Sequence, residues 1–330
     1  MKDATHISGS GDRTIIFVHG RGFKPPPGEY LDVVIAALAA GLEKDRPDLL
    51  DTFTSVNKHL GYYGDLNNDY LAADGEVFDE RLDVSDRHDT LHHLKSVDRK
   101  KGFSVRNYDK LPGKSAFGEF AASTLALVLS AVGAQKSVVA RLNKDLGEYW
   151  KPGSAFRKSV LERVRGTICA ALERNEHVML ISHSTGNIVT YDALWQLSHD
   201  PEDCEAFKDA KIDVWLTLGS PLGDSMVQKA LLGADRRGRE RYPTNILAWH
   251  NVSAEDDFVA HDRTVADDFR AMMKQRQVSS IRDYRVYNMA VRYGRSDPHC
   301  SIGYLCHPRV SKILADWITK THGRPLPRVL

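Results

Sequence analysis

The chain has no apolar run long enough to cross a bilayer. Its longest, Ala121 to Gly133, is broken by serine and threonine and falls well short of the ~20 residues a spanning helix needs. The first residues, Met1-Lys2-Asp3-Ala4-Thr5-His6, carry no apolar core of a secretory signal. Cysteine is scarce: Cys169, Cys204, Cys300 and Cys306 stand among 330 residues. They lack the spacing of a secreted disulfide framework and read as thiols in a reducing compartment. A cytoplasmic protein is therefore expected. Charge of one sign is not in excess either, with 45 Lys and Arg against 44 Asp and Glu. No basic block is interleaved with aromatics, which removes the electrostatic footprint of nucleic-acid binding. The densest basic cluster, Arg236-Arg237-Gly238-Arg239-Glu240-Arg241, falls between two expected strands and reads as solvated loop.

What is present is a chain long enough for one large α/β domain with an insertion, or for two ordinary domains. Thr14-Ile15-Ile16-Phe17-Val18 is apolar on both faces, as a central parallel strand should be, and stops at His19-Gly20-Arg21-Gly22. A helix follows from about Tyr30 to Glu43, with Leu31, Val34, Ile35, Leu38 and Leu42 on one face. Thr52 to Val56 is the candidate for the next strand. From Tyr62 to about Tyr149 the alternation of strand and helix is lost. This section is expected to be an insertion, either a cap or lid above the sheet or an ordinary helical subdomain. Its apolar portion, Phe117 to Leu142, has a helical pattern. His92-His93 within it has no carboxylate or cysteine at ligand spacing and reads as solvated surface.

Regularity returns with the helix Phe156–Leu172 and the strand Val178-Met179-Leu180-Ile181. That strand meets Ser182-His183-Ser184-Thr185-Gly186, and a helical pattern begins at once with Ile188, Val189, Ala193, Leu194 and Leu197. A strand turning sharply into a helix can hold a serine hydroxyl exposed above a sheet. The turn is one residue away from the G-x-S-x-G nucleophile elbow, with Ser182 in place of the first glycine. That position is crowded, and serine is small enough to fit it. Further strands are expected at Ile212–Leu218, Ile246–Val252 and near Tyr284–Val291, and a last helix at Val310–Thr319. Short loops between alternating strands and helices predict an open, mostly parallel sheet flanked by helices.

Functional groups of such sheets gather at the carboxyl ends of the strands. This sequence places His19-Gly20-Arg21, Ser184, Gly219-Ser220, Asp256-Asp257 and His299 there. A serine needs a base to take its proton, and the base needs a carboxylate to fix its tautomer. The order serine, acid, histidine is the one expected of α/β-hydrolases.

The chain resembles the α/β-hydrolase superfamily and is similar to its bacterial esterase- and lipase-like branches. The likeness rests on five features in order. These are the strand ending in His19-Gly20, the Ser184 elbow, the Gly219-Ser220-Pro221 turn, the acid before an Asp-x-x-Val loop, and a histidine ahead of the last helix. It covers Thr14 to about Gly61 and Ala155 to Thr319 and implies a hydrolase core at 1–61 and 150–330, with 62–149 inserted as a cap or lid. It further implies Ser184 as nucleophile, His299 as general base and Asp256 as orienting acid, with the backbone N–H groups of Arg21 and Thr185 as oxyanion hole. Asp256 is preferred to Asp257 on its spacing to Val259. His299 is preferred to His307, which abuts Pro308 at a helix start and suits a cap. His183 is expected to pack under the elbow, and His19 to support the oxyanion turn by hydrogen bonding.

The activity implied is hydrolysis of a carboxylic ester through an acyl-enzyme, with a small ester or acyl molecule as substrate and no cofactor or metal. A thioesterase or amidase would use the same machinery. A protein of a different class, a binding module on a hydrolase fold, is the other alternative. Metal-dependent hydrolysis through His299, Cys300, Cys306 and His307 departs from zinc spacing and is set aside.

Overall fold

The computed structural model describes residues 13–73, 75–99, 101–113, 144–200, 206–207, 210–260 and 264–320. The apolar Phe117–Leu142 portion, like Cys204, lies outside them. Six strands form one sheet: β1 (Arg13–Val18), β2 (Asn57–Gly61), β3 (His177–His183), β4 (Ile212–Leu218), β5 (Ile246–Ala254) and β6 (Ser280–Val286). Their spatial order is β2-β1-β3-β4-β5-β6 and every pair is parallel. A parallel pair needs a crossover connection, so helices cover both faces and the inner strands are buried on both sides. Alternate residues of β1 show this directly. Ile15 and Phe17 join one apolar cluster, whereas Ile16 and Val18 join the other.

The first cluster is closed by helices α1 (Pro27–Asp45) and α12 (Pro308–Thr319), which pack on each other. The second is closed by α7 (Ala155–Glu173) and α8 (Gly186–His199), again packed together. Its centre holds Trp215 and Trp249, both fully buried, with rings stacked at 4.4 Å. A buried indole needs an acceptor for its N–H. Trp215 donates to Ser182 Oγ at 2.9 Å, and Trp249 to Thr217 Oγ1 at 3.0 Å.

Along the chain between α1 and α7 come α2 (Leu50–Ser55), α3 (Gly64–Ala73), α4 (Glu80–Ser96), α5 (Val105–Tyr108) and α6 (Lys144–Trp150). Further along come α9 (Ser225–Ala230), α10 (Arg270–Lys274), a two-residue hairpin of β7 (Val291–Arg292) and β8 (Arg295–Ser296), and α11 (Ser301–Leu305). Two boundaries correct the sequence reading. Thr52–Val56 is not a strand: Phe53 is buried from a helical turn, and β2 starts at Asn57. The last strand of the sheet ends at Val286, and Val291 belongs to the small hairpin.

Several residues of the described 62–149 section pack into the two apolar clusters, Tyr63 and Tyr149 into the second. Leu91 and Leu94 of α4, with Tyr108, share the apolar cluster of α1. Arg87 and Arg292 bracket Asp83 at 2.6 and 2.8 Å, which ties α4 to the hairpin. The exposed turn Gly238–Arg241 carries the basic cluster. No helix among the described residues is long and apolar enough to cross a membrane.

Removing either stacked indole leaves a large void against neighbours that cannot close over it. Trp249→Ala should lower unfolding stability by about 3–5 kcal/mol, read as a shift of the urea midpoint at unchanged slope.

Candidate active site

The sheet changes winding direction between β1 and β3: the chain leaves β1 for β2 on one side and continues from β3 on the other. Such a switch point opens a crevice beyond the carboxyl ends of the two strands. Val18 pairs with Ser182, so the segments after β1 and β3 leave the sheet side by side. Ser184 occupies the turn after β3 with φ of +57°, a conformation costly for a residue with a side chain. Surrounding bonds hold it there. Its N–H continues the ladder to Leu218 O at 3.0 Å, and Asn187 Nδ2 donates to its carbonyl at 2.8 Å. Gly20 lies against it: a Cβ there would stand 2.5 Å from Ser184 Cβ and 3.1 Å from Ser184 Oγ. Only glycine allows that approach.

Ser182 is absorbed by the same turn. Its buried hydroxyl donates to Asn187 Oδ1 at 2.5 Å and accepts from Trp215. The residue that replaces the expected glycine thus links the sheet core to the amide that holds Ser184.

His299 sits between β8 and α11, with its N–H donated to Asp297 Oδ1 at 3.0 Å. Its Nε2 is 2.8 Å from Ser184 Oγ, and its Nδ1 is 2.9 Å from both carboxylate oxygens of Asp257. A carboxylate can only accept, so Nδ1 carries the proton and Nε2 is left to accept from the serine hydroxyl.

The carboxylate that meets the His299 ring is therefore Asp257 and not Asp256, the one preferred from sequence. The chain leaves β5 with Asp256 at φ +59°, which turns that exposed side chain toward Tyr108 and aims the next one inward. Asp257 is 3% exposed. It also accepts from Tyr304 Oη at 2.6 Å and from the Val259 N–H at 3.0 Å.

Burial works against both ions, yet the pair outweighs it. Desolvation raises the Asp257 carboxyl, but His299 and the hydrogen bonds from His299 and Tyr304 bring it below its ordinary value. Desolvation lowers His299, but the charge and hydrogen bond of Asp257 bring it above the ordinary 6.5. The other two histidines of the site move the opposite way. Burial above all holds His19 and His183 well below that value, so both stay neutral.

His183 donates from Nε2 to the His299 carbonyl at 2.7 Å and lies beside its ring, with centroids 4.7 Å apart. His19 accepts the Tyr63 N–H at Nε2 (3.1 Å) and donates from Nδ1 to Gly20 O at 2.8 Å. A planar trans peptide points its C=O and N–H in opposite directions. Holding the Gly20 carbonyl therefore turns the Arg21 N–H away from His19. Thr185 stands at the N-cap position of α8 without a side-chain cap bond, at the end where the helix dipole is positive.

His307 is elsewhere: its Nδ1 accepts the Arg309 N–H at 3.0 Å and caps α12, and burial lowers it to about 3. His92 is exposed on α4. No group of three or more His, Cys, Asp or Glu among the described residues is placed to hold a metal. A recess of about 20 Å³ beside Thr185 is lined by Tyr63, Asn67, Tyr149, Phe156, Val160 and Val189.

Tyr304 is the residue that sequence reasoning missed. Its hydroxyl accepts the Ala254 N–H at 2.8 Å while donating to Asp257, so it locks the acid to the end of β5. A tyrosine in Ser-Ile-Gly-Tyr-Leu carries no mark of this in sequence.

Hydrogen bonds to charged groups contribute about 1.5–3 kcal/mol, and Tyr304→Phe should lose that amount at pH 7 in a urea titration. The His299 value is raised on folding, so its contribution to stability is complete below 6.5 and fades as pH climbs through the raised value. Imidazole NMR titration should therefore place the His299 midpoint above 6.5. In comparisons with known proteins, the chain matches no family model, no curated protein and no solved structure.

Proposed function

We propose that this protein is a serine hydrolase of the α/β-hydrolase type that cleaves a carboxylic ester through an acyl-enzyme. The observation that carries this reading is the continuous line of hydrogen bonds from Ser184 Oγ through the His299 ring to Asp257. Ser184 attacks the ester carbonyl while His299 Nε2 takes its proton. The imidazolium so formed is stabilised by Asp257, which stays ionised. The oxyanion is received by the N–H groups of Arg21 and Thr185. His299 then returns the proton to the leaving alkoxide, and a second cycle with water as nucleophile frees the acid. Losing one oxyanion donor costs about 3 kcal/mol of transition-state stabilisation.

The left-handed backbone of Ser184 supports the same reading, because a strained nucleophile elbow exposes its hydroxyl.

A fluorophosphonate probe should label the wild type and leave Ser184→Ala unlabelled; equal labelling of both would sink the proposal. Asp257→Asn should lower kcat by about 10⁴-fold through loss of the tautomer lock, whereas Asp256→Asn should change it only a few-fold. His299 must be neutral to accept the proton. Activity on a p-nitrophenyl ester should thus rise with pH and reach half its plateau above 6.5.

A further inference from the structure

The loop after β1 buries a lysine. Lys24 is 6% exposed, and its ammonium donates to the carbonyls of Arg21 at 2.6 Å, Gly22 at 2.9 Å and Phe23 at 3.2 Å. An ammonium withdrawn from water is costly unless its donors are met. Three successive carbonyls match its three N–H donors. The loop is wound around its own lysine, and Gly22 makes the winding possible with φ of +88°.

The direction of each carbonyl fixes the direction of the N–H across the same peptide. With the carbonyls of Arg21, Gly22 and Phe23 turned to Nζ, the N–H groups of Gly22, Phe23 and Lys24 face away from it. The last of these is accounted for by Asn68 of α3. Lys24 N–H donates to Asn68 Oδ1 at 2.9 Å, and Asn68 Nδ2 returns a bond to Lys24 O at 2.8 Å. Two buried side chains therefore set two consecutive peptides beside Ser184. His19 holds Gly20–Arg21, and Lys24 holds Arg21–Gly22.

We infer that Lys24 is a positioning residue of the oxyanion site: by gathering the Arg21, Gly22 and Phe23 carbonyls, its ammonium fixes the loop on the far side of Arg21, whose N–H, turned by the His19 contact, meets the developing negative charge. This inference rests on the serine-hydrolase reading. Lys24 itself touches no reacting atom and acts through the backbone of its own loop. Its positive charge also adds to the potential on that side of the serine, in a site where charges are weakly screened.

Full-length Lys24→Met, Lys24→Arg and Asn68→Ala proteins, assayed on a p-nitrophenyl ester beside wild type and Ser184→Ala, test this. A misdirected donor is felt chiefly as the oxyanion forms, so Lys24→Met should lower kcat by about 30- to 300-fold with KM within about threefold. Lys24→Arg keeps a cation with several donors and should recover about tenfold of that loss. Asn68→Ala leaves the charge in place but frees the end of the loop, and should lower kcat about three- to tenfold at unchanged KM.

Wild-type kcat in Lys24→Met overturns the inference, and so does a loss that appears in KM alone or that Lys24→Arg does not relieve. If Lys24→Met fails to fold, Asn68→Ala decides: a kcat loss at constant KM supports the positioning role, and wild-type kcat overturns it. A wild type no more active than Ser184→Ala removes the hydrolase reading and this inference with it. An active wild type with an indifferent Lys24→Met removes this inference alone.

Discussion

The close approach of the end of β1 to the turn after β3 governs everything at the site. A Cβ on Gly20 would collide with Ser184, and a Cβ on Gly186 would stand 2.3 Å from the His19 carbonyl oxygen. The two segments fit only because glycine occupies both points of contact. Neighbouring parallel strands lie ~4.8 Å apart, so this contact brings the backbone at Gly20 against the Ser184 side chain without any long side chain between them. The proposed chemistry needs a nucleophile and an oxyanion donor within reach of one carbonyl. Sheet topology brings the two segments together, and the side chains refine their approach.

Around the contact, charge is buried in two distinct ways. Asp257 is ionised inside the protein because His299, Tyr304 and the Val259 N–H all converge on it. Lys24 is charged inside because its own loop turns three carbonyls toward it. The first arrangement faces a group that must change protonation state during the proposed reaction, and the second faces backbone that cannot. The two therefore do different work. The carboxylate raises the proton affinity of His299, whereas the ammonium keeps peptide dipoles in fixed directions, as preorganised electrostatic stabilisation requires. His19 and His183, desolvated and neutral, add hydrogen bonds without adding a competing charge.

What the sequence made legible follows from how each feature is encoded. The buried strands announced themselves because parallel strands covered on both faces are continuous apolar runs, as in Ile15 to Val18 and Val178 to Ile181. β2 did not: it is an edge strand, Asn57-Lys58-His59-Leu60-Gly61, with Asn57 and His59 exposed and only Gly61 buried. Ser184 and His299 were visible from their places at strand and loop ends, and the structure brings them together. The choice between Asp256 and Asp257 was decided by one backbone angle. A left-handed Asp256 moves the inward direction to the next residue, and nothing in the residue types Glu-Asp-Asp-Phe reports that. Tyr304 and Lys24 were invisible for a related reason. Their roles depend on where one buried polar atom finds its partners, Tyr304 Oη on Asp257 and Lys24 Nζ on the carbonyls of its own loop, which is a property of the packed chain rather than of the residue types.

The left-handed residues tie these points together. Ser184, Asp256 and Gly219 all lie just beyond the carboxyl ends of β3, β5 and β4, with φ between +53° and +59°. Each turn reverses a strand at once instead of letting it run on, so the groups after the turns stay above the sheet edge. Strain of this kind costs of order 1–3 kcal/mol at a non-glycine residue and persists only where neighbours over-determine the backbone. Ser184 has such neighbours in Asn187 and the Leu218 carbonyl, and Asn187 is in turn held by Ser182 and so by Trp215. The serine that replaces the elbow's first glycine is therefore a structural gain for this chain. It connects the buried stack of Trp215 and Trp249 to the one residue whose position the proposed reaction can least tolerate losing.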